Sequence, residues 1–350
     1  MKKRKTKLII ILSIVVLVLV VFGGAYGFYV SSLRPISSES HEVDFTIESG
    51  ETSDSILSRL VDKKIIKNVL ATKVYAKLSG NTGFKAGDFI LDTSWSTKEI
   101  VQYLNDSTAA QAEQVTVTIV EGTWAKNIAA QMEEATNVSA ADLLAAWNDS
   151  TYVSELAQDY WFITPEIYNS QKVILEGYLY PSTYNFFKET TVDAITRRFL
   201  DQTEKVLDEY KSEIESSSMS VHQIMTLASI IQFEGKNEED MKLISGVFEN
   251  RIAAGMKLQS SVTVCYALYD YSSWSDCEQN TNIQSDYNTY LVDGLPPGPI
   301  LNPGLTAIKA ALEPTASDYL YFMADVNGDG TIYFAKTYSE HLRNVEKYLY

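Results

Sequence analysis

The chain has 350 residues, a formal net charge of −16 and only two cysteines. That acidity, with few basic clusters beyond the first residues, argues against nucleic acid as a partner, and one cysteine pair excludes a disulfide-built scaffold. The first seven residues carry four lysines and an arginine, so the remainder holds −21. The length leaves room for two domains with their own cores.

In chain order, residues 1–7 form a basic tail and residues 8–30 an uncharged, mostly apolar run. Such a run is long enough to span a bilayer, and the basic flank places the N-terminus in the cytoplasm and the rest outside. The rival reading is a cleaved signal peptide, with Gly23-Gly24-Ala25 as the small-residue site. Residues 31–42, Ser-rich with Pro35, read as a tether.

Residues 43–106 make a small α+β module. It comprises an alternating strand at 43–47, a helix capped by Thr52 or Ser53, a second helix from Val69 to Leu78, a glycine-interrupted strand at 84–91 and a short helix at 97–104. This order resembles a LysM-type glycan-binding module with an extra helix; a spacer domain without ligand is the other reading. A polar, Ala-rich linker up to Gln114 separates it from residues 115–350.

That second part starts with an alternating strand at 115–120, a turn at Glu121-Gly122-Thr123, a helix from Trp124 and another at 140–147. The aromatic stretch 175–186 suits either stacking on sugar faces or a plain core. Ser220 to Gly235 then reads as one helix with a Ser220/Gln223 capping box and a left-handed glycine stop at Gly235. Ile224, Leu227, Ile231 and Glu234 share one face. By spacing alone, Glu234 either swings into solvent, as most helix-end glutamates do, or is held in an apolar stripe that raises its pKa, as a general acid needs.

A further helix at 237–253 precedes proline- and glycine-rich loops around Tyr287-Asn288-Thr289-Tyr290 and 294–304, which read as rigid walls. A helix at 307–312 and paired strands at 319–323 and 331–334 complete the chain. The turn Asp325 to Gly330 mimics the start of a calcium loop, but Lys336 stands where the loop needs Glu, so it reads as a hairpin. His41, His222 and His341 are scattered, and no metal or cofactor is expected. Cys265 and Cys277 could pair or stay free.

Several of these pieces, in this order, resemble the endolytic murein transglycosylases, the MltG or YceG-like family. They are residues 227–234, Val247 to Arg251, Leu258-Gln259-Ser260, residues 287–290, residues 294–298, Glu121-Gly122, Glu176-Gly177, Pro181 with Thr183, and residues 319–322. The resemblance implies an α+β chain: an N-terminal transmembrane helix, a LysM-like subdomain and a lysozyme-like catalytic domain. It implies cleavage between N-acetylmuramic acid and N-acetylglucosamine inside nascent peptidoglycan strands, which limits glycan elongation. Penicillin-binding proteins and other wall-synthesis proteins become candidate partners.

The family's catalytic acid falls on Glu234. The chain departs from the family pattern at Gln232, Ser182 and Ser261, where acids are usual, and at Val262, where Pro is usual. Gln259, Tyr287, Asn288, Thr289, Pro181, Thr183, Glu176 and Gln232 are the candidate substrate-binding residues. With one motif acid, Glu234 protonates the glycosidic oxygen, then accepts a proton from the muramic C6 hydroxyl as a 1,6-anhydro ring closes. The other reading is a catalytically inactive glycan-binding scaffold for wall synthases.

Overall fold

The computed structural model describes residues 20–48, 50–109, 113–271, 273–325 and 327–349. They form two compact units that divide between Glu113 and Gln114. In the first, helical residues 20–32 (α1) are followed by β1 (Glu42–Ile47), α2 (Ser53–Asp62), α3 (Val69–Ser79), β2 (Gly87–Asp92) and α4 (Thr97–Asn105). β1 and β2 pair antiparallel, with Phe45 opposite Phe89 and Val43 opposite Leu91. Period-two alternation sends Phe45, Ile47, Phe89 and Leu91 to one face, where they meet Ile56, Leu57 and Leu60 of α2 and Ile100 and Leu104 of α4. The caps follow the local chemistry: Thr52 accepts from the Ser55 amide, Asn68 from the Ala71 amide, and Ser96 and Glu99 form a capping box.

The segment read as a tether is knitted onto this unit. Ser32 and Leu33 are buried. The Leu33 carbonyl accepts from the Thr97 amide at 3.1 Å, the Ser37 amide donates to the Thr93 carbonyl at 3.3 Å, and the Thr93 amide donates to the His41 carbonyl at 3.0 Å. A stretch without periodicity can still find tertiary partners for its backbone.

The apolar run 8–30 lies mostly in residues 1–19, outside the described residues. Among the described residues, no helix is long and apolar enough to cross a membrane. In α1, Val20, Val21, Phe22, Tyr26 and Phe28 are exposed.

The second unit runs β3 (Gln114–Thr118), α5 (Ala125–Ala135), α6 (Ala140–Trp147), α7 (Ser150–Leu156), a 3₁₀ turn (Pro165–Asn169) and β4 (Thr183–Phe187). It continues with α8 (Val192–Asp208), α9 (Lys211–Ser216), α10 (Val221–Glu234), α11 (Glu238–Ala253), α12 (Ser261–Leu268), α13 (Trp274–Glu278) and α14 (Leu305–Leu312). The hairpin β5 (Tyr321–Ala324) and β6 (Ile332–Ala335) and the helix α15 (Tyr338–Tyr348) complete it. β3 pairs antiparallel with β4, Val117 opposite Tyr184, and β5 with β6, Phe322 opposite Phe334. At the hairpin turn, Asp325 accepts from the Gly328 amide and Asp329 from the Thr331 amide and hydroxyl. Those carboxylates are spent on their own turn.

The centre of the unit is α10. Its Ser220/Gln223 capping box is present, but ten of its residues are buried, so it is apolar nearly all round and not a one-stripe surface helix. Gly235 departs from expectation. Its φ of −104° and ψ of 143° are extended, not left-handed. The glycine is required by crowding instead: a Cβ there would stand 2.4 Å from Met241 Cγ and 3.1 Å from Met241 Cα. The chain turns tightly at Gly235 to send α11 back across α10.

Candidate active site

Glu234 is the last residue of α10, one turn beyond the buried Ile230 and Ile231. Its side chain reaches solvent in part. Loss of water is nonetheless the leading influence on its carboxyl and raises its pKa; Ser260 lowers it by hydrogen bonding, Glu278 raises it and Arg251 lowers it. Ser260 Oγ donates to Glu234 Oε1 at 2.6 Å. That bond holds the carboxyl in one orientation.

Ser260 is itself fixed. Its amide donates to Thr289 Oγ1 at 3.0 Å, and its carbonyl accepts from Thr263 Oγ1 at 2.7 Å. The neighbouring Gln259 has φ of +51°, a left-handed conformation that a residue with a Cβ adopts at a cost of order 1–3 kcal/mol. Its amide is anchored at 3.0 Å on the Thr289 carbonyl, which holds the bend. Asn288 and Thr289 are wholly buried. Asn288 Nδ2 donates to the carbonyls of Thr281 and Ile283, and its Oδ1 accepts from the Tyr290 amide. These two residues therefore build the floor under Gln259 and Ser260, while the Gln259 side chain is exposed. Tyr287 is buried, with its hydroxyl accepting from the Gln171 amide at 3.3 Å.

The remaining predicted residues lie around the turn at 121–123. Gln232 Nε2 donates to Glu121 at 3.3 Å, and its Oε1 accepts from the Gly304 amide at 2.8 Å. Glu176 has no exposed surface. Its Oε1 accepts from the Ala125 amide at 2.9 Å and from Asn302 Nδ2 at 3.0 Å, and its Oε2 from the Tyr266 hydroxyl at 3.3 Å. It caps α5 from inside the protein, supplying the hydrogen bond that the N-cap Trp124 lacks. Burial pushes its pKa up to about 8. Gly177 next to it has φ of +88°, and a Cβ there would meet Pro299 Cβ at 2.3 Å, which locks the 175–179 loop against the proline-rich loop. Pro181 is buried, and Thr183 is exposed on β4 with its hydroxyl 2.9 Å from that of Thr118.

A cavity of about 300 Å³ is lined by Phe233, the residue before Glu234, and by Val262, Trp124, Lys126, Tyr269 and Tyr271. Trp124 and Tyr269 stack at 5.4 Å with an 11° interplanar angle, and Lys126 Nζ lies over both rings. Flat aromatic faces beside an ordered cation suit a sugar ring with polar substituents. The loop Gly294 to Pro297 lines a different cavity, of about 710 Å³, at the opposite end of α10 beside His222 and Glu249.

Sequence reasoning missed Glu278, Arg251 and Tyr290 as neighbours of Glu234, and the Trp124–Tyr269 pair. For Glu278 a signal existed: Cys265 and Cys277 form a disulfide, which binds α13 to α12. Among the described residues, no group of three or more His, Cys, Asp or Glu could hold a metal ion.

The comparisons with known proteins agree with one another. The YceG-like family profile matches residues 45–347. A Bacillus subtilis protein named endolytic murein transglycosylase is 37% identical over 336 residues, covering 94% of this chain and 91% of its own length. A Streptococcus pneumoniae protein of the same name is 34% identical over 361 residues, and the match covers 98% of this chain and 65% of that longer protein. The crystal structure of a yceG-like protein from Listeria monocytogenes superposes with a TM-score of 0.61 at 34% identity, over 86% of this chain and 98% of that one. A match over most of the sequence, in relatives and in a solved fold, places this chain in the YceG-like family.

Proposed function

We propose that this protein is an endolytic murein transglycosylase, a lyase that cuts peptidoglycan strands internally. Family membership and the names of its relatives support the activity. The observation that carries the mechanism is Glu234, partly buried at the end of α10 and oriented by Ser260. Protonated Glu234 donates to the glycosidic oxygen as the bond from the muramic C1 breaks, and the N-acetylglucosamine leaves as an alcohol. The muramic C6 oxygen then bonds to C1, and its proton goes to the Glu234 carboxylate. The acid is regenerated and no water is consumed. An oriented internal hydroxyl has an effective concentration far above that of solvent, which favours ring closure over hydrolysis. The aromatic wall at Trp124 and Tyr269 is the sugar platform, and the exposed Gln259 side chain a contact beside the acid.

The apolar run at 8–30 supports a single-pass anchor with the catalytic unit outside the membrane, and the small α+β unit supports glycan retention. The decisive experiment is mass analysis of strand ends after digestion, with and without borohydride. New muramic ends should be 1,6-anhydro and resist reduction, and Glu234→Gln should form none. Reducible ends would instead make the enzyme a hydrolase that needs a second carboxylate to activate water.

A further inference from the structure

The acid at Glu234 has a carboxylate neighbour that no motif announces. Glu278 ends α13, a helix of five residues. Two links bring it to the site. The Cys265–Cys277 disulfide fastens the residue before it to α12. Ser261 Oγ, at the start of α12, donates to Glu278 Oε1 at 3.0 Å. Ser260, the residue preceding Ser261, holds Glu234 Oε1 at 2.6 Å. Adjacent serines thus hold two carboxyl groups on one short stretch of backbone, and the bend at Gln259 sets where that stretch points.

We propose that Glu278 is a positioning residue for the reaction: its carboxyl group, clamped by the cystine and Ser261 next to the Ser260–Glu234 pair, helps keep the acid loaded with its proton. The proposal rests on Glu234 being the acid. Like charges held close cannot both ionise easily, whereas a solvated glutamate on a mobile loop would be screened. The charged and titratable groups facing Glu234 are Glu278 from α13, Arg251 from α11 and Tyr290 from the 287–290 loop. Arg251 acts in the opposite sense from Glu278. It is itself committed to the carbonyls of Leu320 at 2.6 Å and Leu258 at 2.6 Å, so it stays in place when Glu278 is changed. Glu176, a wholly buried acid of the unit, is spent on capping α5.

The test is the pH profile of kcat/KM for strand cleavage by the full-length protein, whose alkaline limb reports loss of the proton from the free enzyme's acid. Glu278→Gln keeps the size and the acceptor for Ser261 but removes the charge. Its alkaline limb should move down by roughly half to one pH unit, with KM little changed and the new ends still 1,6-anhydro. The Cys265→Ser/Cys277→Ser double variant, which frees α13, should shift the limb the same way, and adding Glu278→Gln to it should shift it no further. If the double variant does not fold, the single Glu278→Gln profile decides the matter. A Glu278→Gln profile that superimposes on wild type overturns the proposal, as does loss of cleavage at every pH, which would make Glu278 a direct participant. Glu234→Gln separates this from the functional reading: if that variant still cleaves, the assignment of the acid fails whatever Glu278 does.

Discussion

At the scale of single residues, opposing influences meet on one carboxyl. Burial and Glu278 push the Glu234 pKa up, while Ser260 and Arg251 pull it down. Replacing Glu234 by Gln keeps the shape but cannot cycle a proton, so strand cleavage should fall at least about a hundredfold with the thermal midpoint little changed. Activity within a few-fold of wild type would remove Glu234 from the mechanism. Ser260→Ala should act differently from Glu278→Gln. It deletes a hydrogen bond to a charged acceptor, worth about 1.5–3 kcal/mol, so kcat should drop by roughly ten- to a hundredfold. Its alkaline limb should move up, because the lost bond favoured the ionised form. Limbs moving the same way in both variants would contradict the arrangement. Glu176 makes its own prediction. Its folded pKa is raised from 4.5 to about 8, so the folded state keeps a proton that the unfolded state releases. Its stabilising contribution is therefore complete below about pH 4.5 and is lost as pH rises towards 8. Relative to Glu176→Gln, the wild-type melting temperature should decline across that window; parallel curves for the two proteins would refute the assignment.

At the scale of elements, the turn from α10 to α11 is fixed by contact and not by backbone handedness. Gly235→Ala has no φ penalty, yet its methyl would collide with Met241 side chain and backbone. Overpacking of this kind costs typically 1–3 kcal/mol, and because Glu234 is the adjacent residue, activity should fall further than stability does. Chemical denaturation and cleavage measured on the same preparation check this; an alanine variant of unchanged stability would show that α11 can shift freely. Two helix caps read directly from sequence, since Thr52 and Ser220 cap the helices they precede, and the structure adds Ser96. Other elements escaped it. Val262 to Tyr266, β-branched and apolar, lies in α12 because tertiary packing overrides weak local propensity. α8 was not anticipated, although Ile195, Phe199, Leu200 and Leu207 give it a helical face.

At the scale of the whole molecule, the two units invite a division of labour. Deleting the small unit while keeping residues 114–350 should weaken retention on insoluble peptidoglycan and leave cleavage of short soluble strands; unchanged retention in a pelleting assay would favour a spacer. The sequence by itself determined the class, much of the order of elements and a candidate acid, because capping boxes, alternation and motif order are properties of neighbours along the chain. It placed Glu234 on an apolar face but left its surroundings open, since solvation depends on what packs against the helix end. Tertiary structure decided those surroundings. It brought Ser260 and Glu278, 26 and 44 positions downstream, to one carboxyl, paired Cys265 with Cys277, and turned Glu176 inward as a cap. It showed Asn288 and Thr289 wholly buried, Thr289 anchoring Gln259 and Ser260, and Trp124 stacked on Tyr269. Such juxtapositions join residues far apart in sequence, and only the packed core, which fixes where each helix ends, sets their distances.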